Sequence, residues 1–242
     1  MAHKLGPWLQ RATRRLGFDV IRYPSSRLRS GHTMQLARNL SIDCILDVGA
    51  NVGQYGEFLR SIGYQGKIVS FEPLAAAHTA LAARAAKDHD WQVVRAALGA
   101  SDREATIHVS RASVMTSLHP PSPTGAALVG HDLDTVRQET VPVRRLDGIF
   151  DQYVAPDAKV FLKMAVQGAN LEVLEGASGC LARIAALQTI VAVRPLYQDM
   201  PDWLESLSAM RDLGFEPTGF FPVLHYGELQ VSEFDAVMVR PF

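Results

Sequence analysis

From residue 41 onward, short apolar runs alternate with stretches of helical periodicity. Cys44–Val48, Lys67–Phe71, Val160–Met164 and Leu187–Val193 are compact and apolar, as strands buried on both faces are. Trp91–Ala96 and Ala105–Ser110 are also expected to be extended. Between them, Gly53–Ile62, Ala75–Lys87, Asn170–Glu175 and Pro201–Leu213 carry helical spacing, the last with a proline near its first turn. Phe215–Phe221 and Phe234–Val239 form a closing strand pair with no helix between them, which predicts an antiparallel hairpin. The alternation predicts an α/β fold, a mostly parallel sheet with helices on both faces. Upstream, Leu5, Trp8, Leu9, Ala12 and Leu16 recur at helical spacing before Gly17, a C-cap residue. Ser110–Gln138 holds Pro120, Pro121 and Pro123 and predicts a loop. The expected organisation is an N-terminal arm over 1–40 and one domain over 41–242, with 110–138 as a loop or lid.

Composition narrows the class. The 242 residues are 48% hydrophobic and 20% charged, with net charge -1 and mean hydropathy +0.03, as in a globular protein. No global field attracts nucleic acid or an anionic membrane. Cys44 and Cys180 are the two cysteines, too few for a disulfide framework. No apolar run approaches the ~20 residues of a membrane span, and charges interrupt Leu5–Phe18 where a signal peptide needs an apolar core. The expected location is cytoplasmic. Lys4, Arg11, Arg14, Arg15, Arg22, Arg27 and Arg29 make the arm basic. Its favoured reading is a solvated helix packing one face on the domain; the alternative is peripheral contact with anionic lipid or a lipid-borne substrate.

Chemistry concentrates at the first strand. Ile45-Leu46-Asp47-Val48-Gly49-Ala50-Asn51-Val52-Gly53 puts an acid at a strand end and two glycines four apart before a helix. Glycines there permit a tight turn and close approach of backbone to a ligand. The spacing is not the G-x-G-x-x-G of dinucleotide sites, and the Lys and Ser/Thr of a phosphate loop are missing. A cationic, phosphate-free cofactor suits it. Val69-Ser70-Phe71-Glu72-Pro73 ends the next strand in a carboxylate about 20 residues on, where an acid accepts from ribose hydroxyls. Either acid alone would read as a helix cap; their joint placement points to a nucleoside.

Ile45–Gly53, Phe71-Glu72-Pro73, Val141–Asp147, Phe161-Leu162-Lys163, Leu171–Ala177 and Pro195-Leu196-Tyr197 together resemble the FkbM family of methyltransferases, over about Asp43 to Val239. The resemblance implies a class I, Rossmann-like methyltransferase fold with seven strands, and S-adenosyl-L-methionine as cofactor. It implies binding of that cofactor by Asp47, Gly49, Ala50, Asn51, Gly53, Glu72 and Pro73, with adenine beside Ala97 and Leu98. The implied reaction is O-methylation, commonly of sugar or polyketide hydroxyls. The basic arm followed by Gly17-Phe18-Asp19-Val20 is similar to mycobacterial members that methylate deoxysugars of glycolipids.

Two acids that the family pattern leads one to expect are replaced. After the fourth strand the family reads Lys-Ile-Asp-x-Glu/Gln-Gly, and this chain reads Lys163-Met164-Ala165-Val166-Gln167-Gly168. Ile190 stands where the family places Glu, and Asn170 where Glu is common. An alanine methyl can neither bind a metal nor orient a hydroxyl. The remaining catalytic candidates are His119, as a base near neutrality, and Lys163, contacting the acceptor or pairing with an acid. His131, His225, Asp147 and Tyr197 are weaker candidates, and no metal spacing stands out. The expected function is O-methylation of a small-molecule or lipid-linked sugar; the alternative is a catalytically silent relative that keeps the cofactor. Nucleic-acid methylation is disfavoured by the lack of an Asn-Pro-Pro-Tyr-type motif and of a basic surface, and a dehydrogenase by the glycine spacing.

Overall fold

The computed structural model describes residues 7–18, 20, 25 and 28–241; Lys4, Leu5, Asp19, Arg22 and Arg27 of the arm lie outside them. Its elements are α1 (Pro7–Arg15), α2 (Arg29–Asn39), β1 (Cys44–Val48), α3 (Gln54–Ser61), β2 (Lys67–Phe71), α4 (Ala75–Ala85), β3 (Trp91–Val94), β4 (Ala97–Leu98) and β5 (Arg103–Ser110). They continue with α5 (Pro123–Val129), β6 (Thr135–Arg144), α6 (Leu146–Tyr153), β7 (Val160–Met164), α7 (Asn170–Gly176), β8 (Ile184–Ala192), α8 (Trp203–Asp212), β9 (Glu216–Tyr226) and β10 (Gln230–Val239).

The main sheet has seven strands in the order β3-β2-β1-β7-β8-β10-β9. Its first five are parallel, and β10 runs antiparallel to both neighbours. The order is that of a class I methyltransferase fold. Alternate residues of each strand feed opposite cores. Leu46, Val48 and Leu162 pack with Phe150, Val173 and Met210 of α6, α7 and α8. Ile45, Ile68 and Phe161 pack with Leu36, Leu59 and Leu81 of α2, α3 and α4. Helices therefore cover both faces.

Three expectations need correction. Residues 29–40 do not stand off the domain: α2 and its C-cap residue bury Leu36, Ala37 and Leu40 with Ile45 and Ile68 of the sheet. The C-terminal helix starts at Trp203, after Pro201: Asp202 is its N-cap, in a capping box with Glu205. Ser110–Gln138 is not all loop, since it holds α5 and the start of β6. Thr135–Gln138 pairs with Ser110–His108 of β5, in a second sheet ordered β4-β6-β5.

That second sheet carries a cover over the carboxyl ends of the parallel strands. Ser117 Oγ donates to the Gln167 carbonyl at 2.6 Å, and Gln167 Nε2 to the Val114 carbonyl at 3.0 Å. Tyr197 Oη donates to the Met115 carbonyl at 2.7 Å. These bonds pin residues 113–117 over the strand tips, where open sheets of this kind bind ligands.

Candidate functional site

A cavity of about 580 Å³ lies beneath this cover. The strand order gives it a direction. Glu72 follows β2; Gly49, Ala50 and Asn51 follow β1; Ala165 follows β7; Ile190 ends β8; and Glu233 and Asp235 come from β10. Four interstrand steps separate the ends, ~19 Å at the usual spacing. Pro73, Ala97 and Leu98 line the Glu72 end, and Ile107, Val114, Met115 and Leu118 give an apolar roof.

Glu72 is 5% exposed. Its Oε2 accepts from the Asn51 N–H at 2.8 Å and its Oε1 from the Leu74 N–H at 2.9 Å. Burial pushes its carboxyl up, against the pull of those two backbone donors. Each oxygen keeps lone-pair capacity for a further donor from the cavity. A vicinal diol would supply two.

The glycine turn has two separate jobs. Gly49 has φ +73°, and a side chain there would put Cβ 2.2 Å from the Ala165 carbonyl, so only glycine lets the β1 and β7 loops meet. Gly53 is not among the residues that line the cavity. At φ +97° it precedes α3, and an added Cβ would press on Leu81 at 2.9 Å and on the Trp91 ring at 3.3 Å. Helix packing requires it.

Asp47 lies behind the cavity wall. It is 0% exposed and absent from the cavity lining. Lys163 Nζ, facing it across the β1–β7 register, donates to Oδ1 at 2.8 Å. Ser70 Oγ donates to Oδ2 at 3.3 Å, and Trp91 Nε1 donates to Ser70 Oγ at 3.0 Å. The carboxylate thus anchors the lysine that reaches the cavity wall. The Lys163 ammonium lies 5.1 Å from the centre of the Tyr55 ring, whose hydroxyl donates to Gln188 Oε1 at 2.9 Å. Burial keeps Tyr55 protonated, so it is a fixed donor.

His119 is outside the cavity. Its Nε2 meets Glu172 Oε1 at 2.9 Å, and the histidine contact holds the Glu172 carboxyl below its ordinary range. The expected base therefore serves a contact between the cover and α7. His131 is exposed against Asp134, His225 is exposed on β9, and Asp147 is held by Arg145 at 2.6 Å. Ala165 and Ile190 line the cavity as apolar groups, and the amide of Asn170 donates to the Ile190 carbonyl at 2.8 Å.

The sequence reading missed two acids. Glu233 and Asp235 share one face of β10, opposite Ala192 and Ile190 of β8. Because β10 is antiparallel, its beginning lies at the carboxyl ends of the other strands. Asp235 pairs with Arg29 at 2.6 Å. Glu233 is 3% exposed, and its Oε1 has no hydrogen-bond partner. Burial first, then the nearby Asp235 charge, raises its carboxyl from the ordinary 4.5 to about 7. Two acids spaced i, i+2 in an otherwise apolar strand were the available signal. Among the described residues, no group of three or more His, Cys, Asp and Glu is arranged to hold a metal. Nor, among them, is any helix long and apolar enough to cross a membrane.

A family model described as the methyltransferase FkbM domain matches residues 47–217. No curated protein matches the chain. Solved structures with similar folds include magnesium protoporphyrin IX methyltransferase from Synechocystis PCC 6803 with bound SAM, 10% identical over 98% of this chain and 92% of that one, TM-score 0.45. An rRNA methylase from Streptococcus thermophilus is 11% identical over 89% and 98%, TM-score 0.45. A SAM-dependent methyltransferase from Aquifex aeolicus is 12% identical over 95% and 98%, TM-score 0.43.

Proposed function

Because the chain belongs to the FkbM methyltransferase family, we propose that it is an S-adenosylmethionine-dependent O-methyltransferase acting on a sugar hydroxyl of a glycolipid or natural product. The observation that carries this reading is the polarised cavity. One end offers a buried carboxylate with free lone pairs at Glu72; the other offers an unpartnered carboxylate at Glu233.

The residues present fit the cofactor. Glu72 suits the ribose diol, with Pro73, Ala97 and Leu98 beside the adenine and the Gly49–Asn51 backbone along the nucleoside. Among the described residues, the lining cations Arg29 and Lys163 are each paired with an acid, which leaves neither of them free for a phosphate. When bound, S-adenosylmethionine supplies an electrophilic methyl on a sulfonium and departs as the neutral thioether S-adenosylhomocysteine.

The acceptor belongs at the β8–β10 end, among Gln188, Ile190, Glu233 and Asp235. Glu233 would accept the proton of an acceptor hydroxyl, a transfer worth ~10²–10⁴-fold. Gln188, fixed by Tyr55, orients the ring, and the apolar cover excludes water. The acid expected at 165 or 190 is thus supplied from a third strand. A cofactor-binding relative without turnover is the second reading, favoured by the apolar groups at 165 and 190.

Calorimetry with S-adenosylhomocysteine, paired with radiolabelled methyl transfer to alkyl glycosides and glycolipid extracts, tests both. Stoichiometric binding with methyl ether formation is expected. Absence of cofactor binding would overturn both readings. Binding without transfer, followed by transfer once Ala165→Asp and Ile190→Glu are introduced, would establish a disabled enzyme.

Glu72→Ala is expected to weaken S-adenosylhomocysteine binding about a hundredfold, the worth of two charge-assisted hydrogen bonds at roughly 1.5 kcal/mol each. An unchanged dissociation constant would remove the ribose assignment.

A further inference from the structure

Charge is strongly segregated along this nearly neutral chain. Residues 1–41 hold eight Lys and Arg against the single acid Asp19, a net +7; the other 201 residues hold sixteen against twenty-four, a net -8. The basic segment includes α1, which contributes no side chain to the four apolar clusters among the described residues.

At 100° per residue, Trp8, Ala12 and Leu16 fall along one face of α1 with Leu9 at its edge. Among its described side chains, Leu9 and Thr13 are half-buried. Trp8 is 72% exposed, Leu16 74% and the following Phe18 68%. Arg11 and Arg15 are exposed and flank this apolar face. The larger apolar groups of this segment therefore face water. Monomeric soluble surfaces rarely leave such groups together without a use.

We propose that α1 and Phe18 dock the protein on an anionic phospholipid bilayer, with Trp8, Leu16 and Phe18 entering the headgroup–acyl boundary and Arg11 and Arg15 contacting lipid phosphates. A tryptophan beside basic groups on a short amphipathic helix is the composition of interfacial anchors. A second copy of the chain is the poorer occupant, because apposed arms would bring two +7 segments together. A nucleic acid would satisfy the arginines and leave the apolar face in water. The docking stands independently of which acceptor the cavity takes.

Co-sedimentation of the full chain with phosphatidylglycerol/phosphatidylcholine vesicles, against phosphatidylcholine alone, tests it. The mixed vesicles are expected to bind at least tenfold more tightly, with the advantage lost near ~0.5 M salt, where screening is short. Arg11→Glu with Arg15→Glu should cost at least tenfold, since each basic group near such a surface contributes about fivefold. Trp8→Asp with Leu16→Asp should abolish pelleting while the unfolding midpoint and S-adenosylhomocysteine affinity stay unchanged. Equal pelleting with and without the anionic lipid overturns the proposal, as does parental binding by either double variant. So does a concentration-dependent dimer in which Trp8 fluorescence shifts without vesicles.

Discussion

Lys163→Met should lower the unfolding midpoint by roughly 10 °C, although methionine fills nearly the same volume. The lysine side chain is 11% exposed and Asp47 not at all, so removing the ammonium strands a buried carboxylate with only the Ser70 hydroxyl against it. Leaving one member of a buried pair uncompensated costs about 3–5 kcal/mol, and a chain of this size loses ~2–4 °C per kcal/mol. Adding Asp47→Asn to Lys163→Met should recover more than half of the loss, because an amide needs no counter-charge. A drop below about 2 °C in the single variant, or no recovery in the double, would show that the pair holds little of the fold together. The same variant should weaken cofactor binding less than Glu72→Ala, since Asp47 acts behind the cavity wall.

That pair also marks the limit of what the chain discloses before it folds. The strands were legible because Cys44–Val48 and Val160–Met164 are buried on both faces and are apolar at every position but Asp47 and Lys163. The turn after β1 was legible because its glycines answer a local demand, positive φ angles of +73° and +97°. The partnership of Asp47 and Lys163 was not, since it depends on the β1–β7 register across a crossover. Asp47 therefore drew notice as a ligand group, while its bond to Lys163 stayed out of view. The helix α2 stayed hidden for a different reason: three of its buried residues, Gly31, Thr33 and Ala37, are small or polar and do not stand out from the basic arm. His119 attracted attention as a titratable residue in a loop, and only the fold shows its ring turned to Glu172.

Glu233 was the costliest omission, and the antiparallel β10 explains it. In a parallel strand, an acid near the start would sit at the amino end of the sheet, far from the ligand crevice. Reversal of this strand brings Glu233 and Asp235 to the crevice, with Asp235 opposite Ile190 of β8. A carboxylate thus lines the β10 end of the cavity, where β7 and β8 offer Ala165 and Ile190. Arg29 neutralises Asp235, which leaves Glu233 as the one of the two free to exchange a proton.

Glu233→Gln should therefore separate activity from stability. Turnover is expected to fall ~10²–10⁴-fold with S-adenosylhomocysteine affinity unchanged. The parent rate should climb with pH through about 7, as the carboxyl that burial has raised to that value ionises, and the variant should lose this limb. Stability should move the other way. With the folded value raised from 4.5 to about 7, the native state binds more protons than the unfolded one between those pH values. Stability contributed by the neutral acid is therefore full below about 4.5 and lost as pH rises through 7. At pH ~8 the parent buries a costly charge and the variant does not, so Glu233→Gln should unfold later by an amount approaching roughly 3 kcal/mol, 1.36 kcal/mol per unit. Near pH ~4.5 the two should melt together. A slower enzyme that is also less stable at pH ~8 would mean the carboxylate is tied into the fold, and the proton acceptor must then be sought elsewhere.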